Sequence, residues 1–134
     1  MIDHVSIPVR DLAASTAFYR RVLAPLGYAL LVERPHTVGF GKRYPEFWLN
    51  ARPDSPAMPE DSGHHVCLRA PSAGAVDDFH AAAIACGGTD AGAPGERRAT
   101  MTSYFGAFVL DPDGNKIEAV AFPRPDDPAA PPPT

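Results

Sequence analysis

The sequence predicts an α+β fold built from two βαβββ modules, with helices outside a mostly antiparallel sheet. Three observations predict it. First, the sequence repeats at a shift of 61 positions, from His4 to His65: His4-Val5-Ser6-Ile7 falls on His65-Val66-Cys67-Leu68, Ala14 on Ala75, Phe18 on Phe79 and Gly27 on Gly88. Second, each copy opens with strand-like alternation and passes into a helical apolar stripe. Third, the apolar and charged fractions are those of an ordinary globular protein, and 134 residues suffice for one domain with its own core.

Each copy begins with a strand, residues 2–9 or 64–70, followed by Asp11 or Ser72 where a helix N-cap belongs. A helix of about three turns is expected next. Leu12, Tyr19, Val22, Leu23 and Leu26 form its apolar stripe in the first copy; Val76, Phe79, Ala83 and Ile84 form it in the second. Gly27 and the pair Gly87-Gly88 are stop signals. Strands are expected over 38–41, 47–50, 103–110 and 116–122. The turn Asp111-Pro112-Asp113-Gly114-Asn115 joins the last two, because Pro presets one dihedral and Gly or Asn accepts positive φ. Residues 92–98, flanked by Gly and Pro, read as a loop that carries Arg97 and Arg98, a pair that is either solvated or closes over an anionic substrate. The modules then span about 1–60 and 61–122, and the Pro-rich tail 123–134 is expected to be disordered.

Composition narrows the function. A formal charge of −4 disfavours nucleic acid as a partner. The two cysteines, Cys67 and Cys86, make no disulfide framework and read as reduced thiols. Neither a signal peptide nor a stretch long enough to span a bilayer is visible, so a cytoplasmic protein is expected.

The side chains opposite the apolar strand faces carry the chemistry. Val5, Ile7 and Val9 share one face of the first strand; His4, Ser6 and Pro8 share the other. The repeat strand places His65, Cys67 and Arg69 in the same way. In the last strand, Glu118 is a single carboxylate in an apolar run, and an isolated charge in a dry place must be paired, protonated or metal-bound. A lone strand histidine is usually just a hydrogen-bonded residue. Two histidines related by a repeat, with a carboxylate, form instead a facial triad that leaves coordination positions open. One divalent ion is expected: Zn, Mn, Fe, Ni or Co. His64 alternates onto the helix face, His36 and His80 lack a comparable context, and Cys67 reads as a pocket-lining thiol.

His4-Val5-Ser6-Ile7-x-Val9-x-Asp11-Leu12, Gly63-His64-His65-Val66 and, most specifically, Asp111-Pro112-Asp113-Gly114-Asn115-Lys116-Ile117-Glu118 resemble the opening, the second-module start and the closing hairpin of the vicinal oxygen chelate superfamily. This superfamily contains glyoxalases, bleomycin-resistance proteins and extradiol dioxygenases. The resemblance covers residues 1 to about 122. It implies an incomplete barrel around a metal held by His4, His65 and Glu118. It also implies a homodimer, in which His4 and the other two ligands can come from different chains.

The fourth family ligand position falls on Trp48 or a neighbour in Phe47-Trp48-Leu49, so the fourth ligand of glyoxalase I is absent. Ala107 and Asp113 stand where extradiol dioxygenases place a pocket His and Tyr. Fosfomycin-resistance transferases share the two-His-one-Glu pattern but need cations that the stretch after Glu118 lacks, apart from Arg124. The expected function is that of a metal-dependent enzyme on a small oxygen-chelating substrate. Glu118 and Tyr104 are the candidate catalytic residues, and Trp48, Tyr104 and Ser6 are the candidate substrate contacts. The alternative is a protein that sequesters a small ligand without turnover, like the bleomycin-resistance proteins. Neutral imidazoles are required for ligation, so metal affinity is expected to fall below about pH 6.

Overall fold

Asp11 and Ser72 each accept a hydrogen bond from the backbone N–H three residues on, Ala14 and Ala75, both at 3.1 Å. The two helices of the computed structural model therefore start alike, as the repeat requires. The structure describes residues 1–98 and 102–123; the remainder of the Pro-rich tail, from residue 124, lies outside the described residues. The elements run β1 (Val5–Val9), α1 (Leu12–Leu23), β2 (Ala29–Glu33), β3 (Thr37–Gly41), β4 (Pro45–Ala51), β5 (Val66–Arg69), α2 (Ala73–Ala85), β6 (Thr89–Arg98), β7 (Ser103–Leu110) and β8 (Lys116–Ala121). A short 3-10 turn, Ala24–Leu26, ends on Gly27 with φ 86°, a left-handed conformation that glycine adopts without strain.

Each module forms its own four-stranded sheet, in the orders β1-β4-β3-β2 and β5-β8-β7-β6. The sheets are mixed: β1 pairs with β4 and β5 with β8 in parallel, and the other pairs are antiparallel. This is the expected α+β architecture of two βαβββ units, and within the single chain the two sheets are not closed into a barrel. The core holds Tyr19, Val22, Leu23 and Leu26 from the first helical stretch and Val76, Phe79 and Ala83 from α2. Ile84 departs from expectation: it is exposed, because the next residue after Ala83 turns about 100° around the helix, off the buried face.

The second departure is β6. The stretch expected as a loop is an edge strand paired to β7, with register shifts at Asp90/Gly92 and Gly92/Gly95. An edge position tolerates Pro94, whose missing N–H would be costly inside a sheet. The strand starts also differ slightly: His4 and His65 each sit one residue before the first paired residue of β1 and β5.

The turn between β7 and β8 locks the modules together. Asp111 accepts from the backbone N–H groups of Asp113 and Asn115 and from the Tyr19 hydroxyl at 2.7 Å. Asn115 donates from Nδ2 to the Pro8 carbonyl at 2.9 Å, and Arg10 pairs with Asp113 at 2.8 Å. Burial raises the Asp111 pKa above the ordinary carboxylate value, while the bonds from Tyr19 and Asn115 pull it back.

Candidate metal centre

Alternation along β8 sends Ile117, Ala119 and Ala121 into the core beneath α2 and leaves Glu118 on the opposite face. Glu118 is nevertheless only 5% exposed. Its Oε1 lies 3.2 Å from Nε2 of His65, whose imidazole is 44% exposed. Glu118 is also opposite Cys67 on β5 and Phe108 on β7. The His65 ring meets Phe108 edge-on, with centroids 5.7 Å apart. A carboxylate and an imidazole are thus held side by side on rigid strands, under an aromatic ring.

Cys67 is exposed as a residue, yet burial of its thiol, the adjacent Glu118 charge and a hydrogen bond to Glu118 push its pKa up to about 12. It is a neutral thiol at physiological pH.

His4 is placed differently. It precedes β1 of the other sheet, is half-exposed, and its Nδ1 lies 2.7 Å from the Asp3 carboxylate. Among the described residues, no three His, Cys, Asp or Glu side chains come together as a metal cluster. The structure therefore brings together His65 and Glu118, but not His4. The donor set fits a divalent ion in part: among the described residues, one imidazole and one buried carboxylate converge.

Ser6 and Trp48 are Cα partners on β1 and β4. The Trp48 ring lies over Gly39, where a Cβ would come within 3.0 Å of it, and the Arg34 guanidinium stacks 5.7 Å from its centroid. Tyr104 shares the Glu118 face but sits four residues along β7 from Phe108, about 13 Å away at strand rise, with its ring 6.0 Å from Phe122. His64 is exposed and contacts Ser62 at 2.9 Å. His80 bonds Asp90 at 2.9 Å, tying α2 to β6.

Arg97 is the residue whose setting the sequence reading missed. Its guanidinium lies over Phe108, 5.4 Å from the centroid, on the same ring that meets His65. Gly92, the partner of Phe108 in the ladder, clears the space, since a Cβ there would come within 3.1 Å of the guanidinium.

The family model for the Glyoxalase/Bleomycin resistance protein/Dioxygenase superfamily matches residues 1–119. The chain belongs to this superfamily. It is similar to a glyoxalase/bleomycin resistance protein from Albidiferax ferrireducens T118, at 33% identity and TM-score 0.78, over 89% of this chain and 97% of that one. A glyoxalase/bleomycin resistance protein/dioxygenase family enzyme from Burkholderia phytofirmans PsJN shares the fold at 23% identity and TM-score 0.68, over 91% and 98% of the two chains. The fosfomycin resistance protein FosX from Listeria monocytogenes shares it at 17% identity and TM-score 0.64, over 90% and 92%. No curated protein matches. Among the described residues, no helix is long and apolar enough to cross a membrane.

Proposed function

We propose that this protein is a metal-dependent enzyme of the superfamily, acting on a small substrate that offers two neighbouring oxygens. The carrying observation is the buried Glu118 carboxylate, 3.2 Å from the His65 imidazole on an otherwise apolar strand. A carboxylate buried in that place calls for a charged partner, and together with the imidazole beside it offers one oxygen and one nitrogen donor to a cation. His65 and Glu118 would hold one divalent ion, with His4 of a second copy as the third ligand in a homodimer. All four outer strands, β1, β2, β5 and β6, offer unpaired edges for such an assembly.

When bound, the metal supplies Lewis-acid polarisation of the substrate oxygens. The chain's own side chains supply the rest. Phe108 walls one side of the carboxylate, and Cys67 contributes a neutral thiol to the floor. Trp48 and Ser6, reaching the site from the other copy with His4, contact the substrate. Tyr104 carries the proton only for a substrate that extends about 13 Å along the sheet from Glu118. One observation favours a second reading, ligand sequestration without turnover: Trp48 stands at the position that would furnish a second carboxylate base.

The test has two parts. Metal content of protein purified without added metal should be about one ion per chain. Turnover is then assayed with vicinal diols, 2-oxoaldehyde thiol adducts and epoxides. Metal without turnover of any of these supports the sequestering reading. Absence of metal overturns both the enzyme and its site.

A further inference from the structure

The face of the second sheet that carries Glu118 is cationic, in a chain whose formal charge is −4. Arg97 lies over Phe108 at 5.4 Å, Lys116 over the same ring at 4.9 Å, and Arg69 over Phe122 at 4.4 Å. Among the described residues of these four strands, Glu118 is the only acid on that face. Asp90 is turned to His80 of α2, and Glu96 is the partner of Phe105, which packs against the core. Glu60 and Asp61 belong to the segment before β5. They line a small cavity with His64, His65 and Lys116, and Arg97 is not among its lining residues.

The Arg97 arrangement is a built one. Nη2 donates to the Ala93 carbonyl at 2.8 Å, Gly92 leaves room for the guanidinium, and Nε is buried without a hydrogen-bond partner among the described residues. A guanidinium held flat on an aromatic ring with an unmade hydrogen bond is poorly explained by packing, because an unsatisfied buried donor is destabilising. An anion beside Phe108 would receive its free N–H groups and would be balanced also by Lys116, which lies by the same ring.

We propose that the site takes a small organic anion, whose carboxylate or phosphoryl group is received by Arg97 and Lys116 over Phe108 while the rest of the molecule reaches His65 and Glu118. This rests on the reading of His65 and Glu118 as the reaction centre, but the anion contact involves neither residue.

The experiment is ligand-observed NMR and calorimetry on the full chain, with metal content measured on the same samples. The probes are benzoate, phenyl phosphate and the neutral benzyl alcohol. Wild type should bind at least one of the anions more tightly than benzyl alcohol by about fivefold or more, the worth of one partly exposed ionic contact. Arg97→Gln and Lys116→Gln should each remove most of that preference without changing metal content or benzyl alcohol binding. Preference for carboxylate over phosphate, or the reverse, identifies the group. Equal binding of anions and alcohol, no detectable anion binding, or a preference untouched by both substitutions overturns the proposal. Wild-type protein that holds no metal but shows the anion preference, with the preference lost in both variants, would instead overturn the metal centre alone.

Discussion

Trp48 and Glu118 occupy the same place in the two halves of the fold. Trp48 is the partner of Ser6 in the parallel pair β1–β4, and Glu118 is the partner of Cys67 in the parallel pair β5–β8. Ser6 and Cys67 are themselves related by the 61-residue repeat, so the repeat carries a carboxylate in one copy and an indole in the other. One module thus presents His65 with Glu118, while the other presents His4 with an aromatic wall. The asymmetry leaves a single carboxylate for the proposed centre.

Glu118 should therefore be indispensable for metal. Glu118→Gln keeps the shape of the side chain and removes its charge. We expect it to lower bound metal by at least about tenfold, because the anionic ligand is lost while the fold is kept. Elemental analysis beside a far-UV spectrum reads both. A variant that folds and keeps full metal would remove Glu118 from the site.

Tyr19 and Asp111 lie 92 positions apart and tie α1 to the closing turn by a buried 2.7 Å bond. Tyr19→Phe should destabilise the protein by about 1.5–3 kcal/mol at pH 7, the range for a hydrogen bond to a charged group. Because burial raises the Asp111 pKa, the protonated form is favoured in the fold. The stability this gives is full below the ordinary carboxylate pKa and is withdrawn as pH climbs through the raised value. Removing the Tyr19 donor raises that pKa further, so the penalty of Tyr19→Phe should grow from acid to neutral pH. Denaturant midpoints at several pH values measure it; a penalty that shrinks with rising pH contradicts the account.

Asp90 behaves in the opposite sense. Its hydrogen bonds from His80 and the Gly92 N–H hold its carboxyl below the ordinary value. A depressed folded pKa contributes stability above the unfolded value, and that contribution is lost as pH falls through the folded one. Asp90→Asn should lower thermal stability at neutral pH and above, and the deficit should vanish as pH falls through the folded value, so the acid limb of the variant is shallower. Melting curves from the ordinary carboxylate range downward test it, and parallel acid limbs in the two proteins would contradict it.

Trp48 is the chain's one tryptophan, and it reports on Gly39 beneath it. A Cβ at position 39 would come within 2.8 Å of Pro45 and 3.0 Å of the indole, so Gly39→Ala must push the ring away. We expect a destabilisation of about 1–3 kcal/mol, as for overpacking, with a shift in indole emission. Unchanged emission at unchanged stability would mean that the indole does not rest on Gly39.

Much of this was legible beforehand, for identifiable reasons. The repeat, the caps Asp11 and Ser72, and the turn at 111–115 are local signals, and each is observed. Strand alternation put His65 and Glu118 on the faces where they meet. β6 was illegible because Gly92, Pro94 and Gly95 carry none of the branched or aromatic side chains that mark strands, and an edge strand with register shifts tolerates them. The Tyr19–Asp111 bond was illegible because a stripe residue and a turn residue give no sign of each other across the chain. The separation of His4 from His65 was hidden for a related reason. Alternation says which face of its own sheet a residue takes, but not how two sheets face one another.

That last point leads to the sharpest test of the homodimer. His65 and Glu118 converge within one chain, whereas His4 stands on the other sheet, beside Asp3. If the centre draws His4 from a second copy, His4→Ala and Glu118→Ala should each bind little metal alone. Unfolded together in equal amounts and refolded, they should regain it in part. A mixed dimer combines His65 and Glu118 of one chain with His4 of the other at one of its two sites; the second site lacks both groups. With random two-fold pairing, about half the dimers are mixed, so metal should return to roughly a quarter of the wild-type content. Regain near that level, in a species with the mass of a dimer by light scattering, is the expected outcome. A dimer with no regain would place His4 outside the centre, and a monomer at tens of micromolar would leave His65 and Glu118 without the third ligand proposed for them.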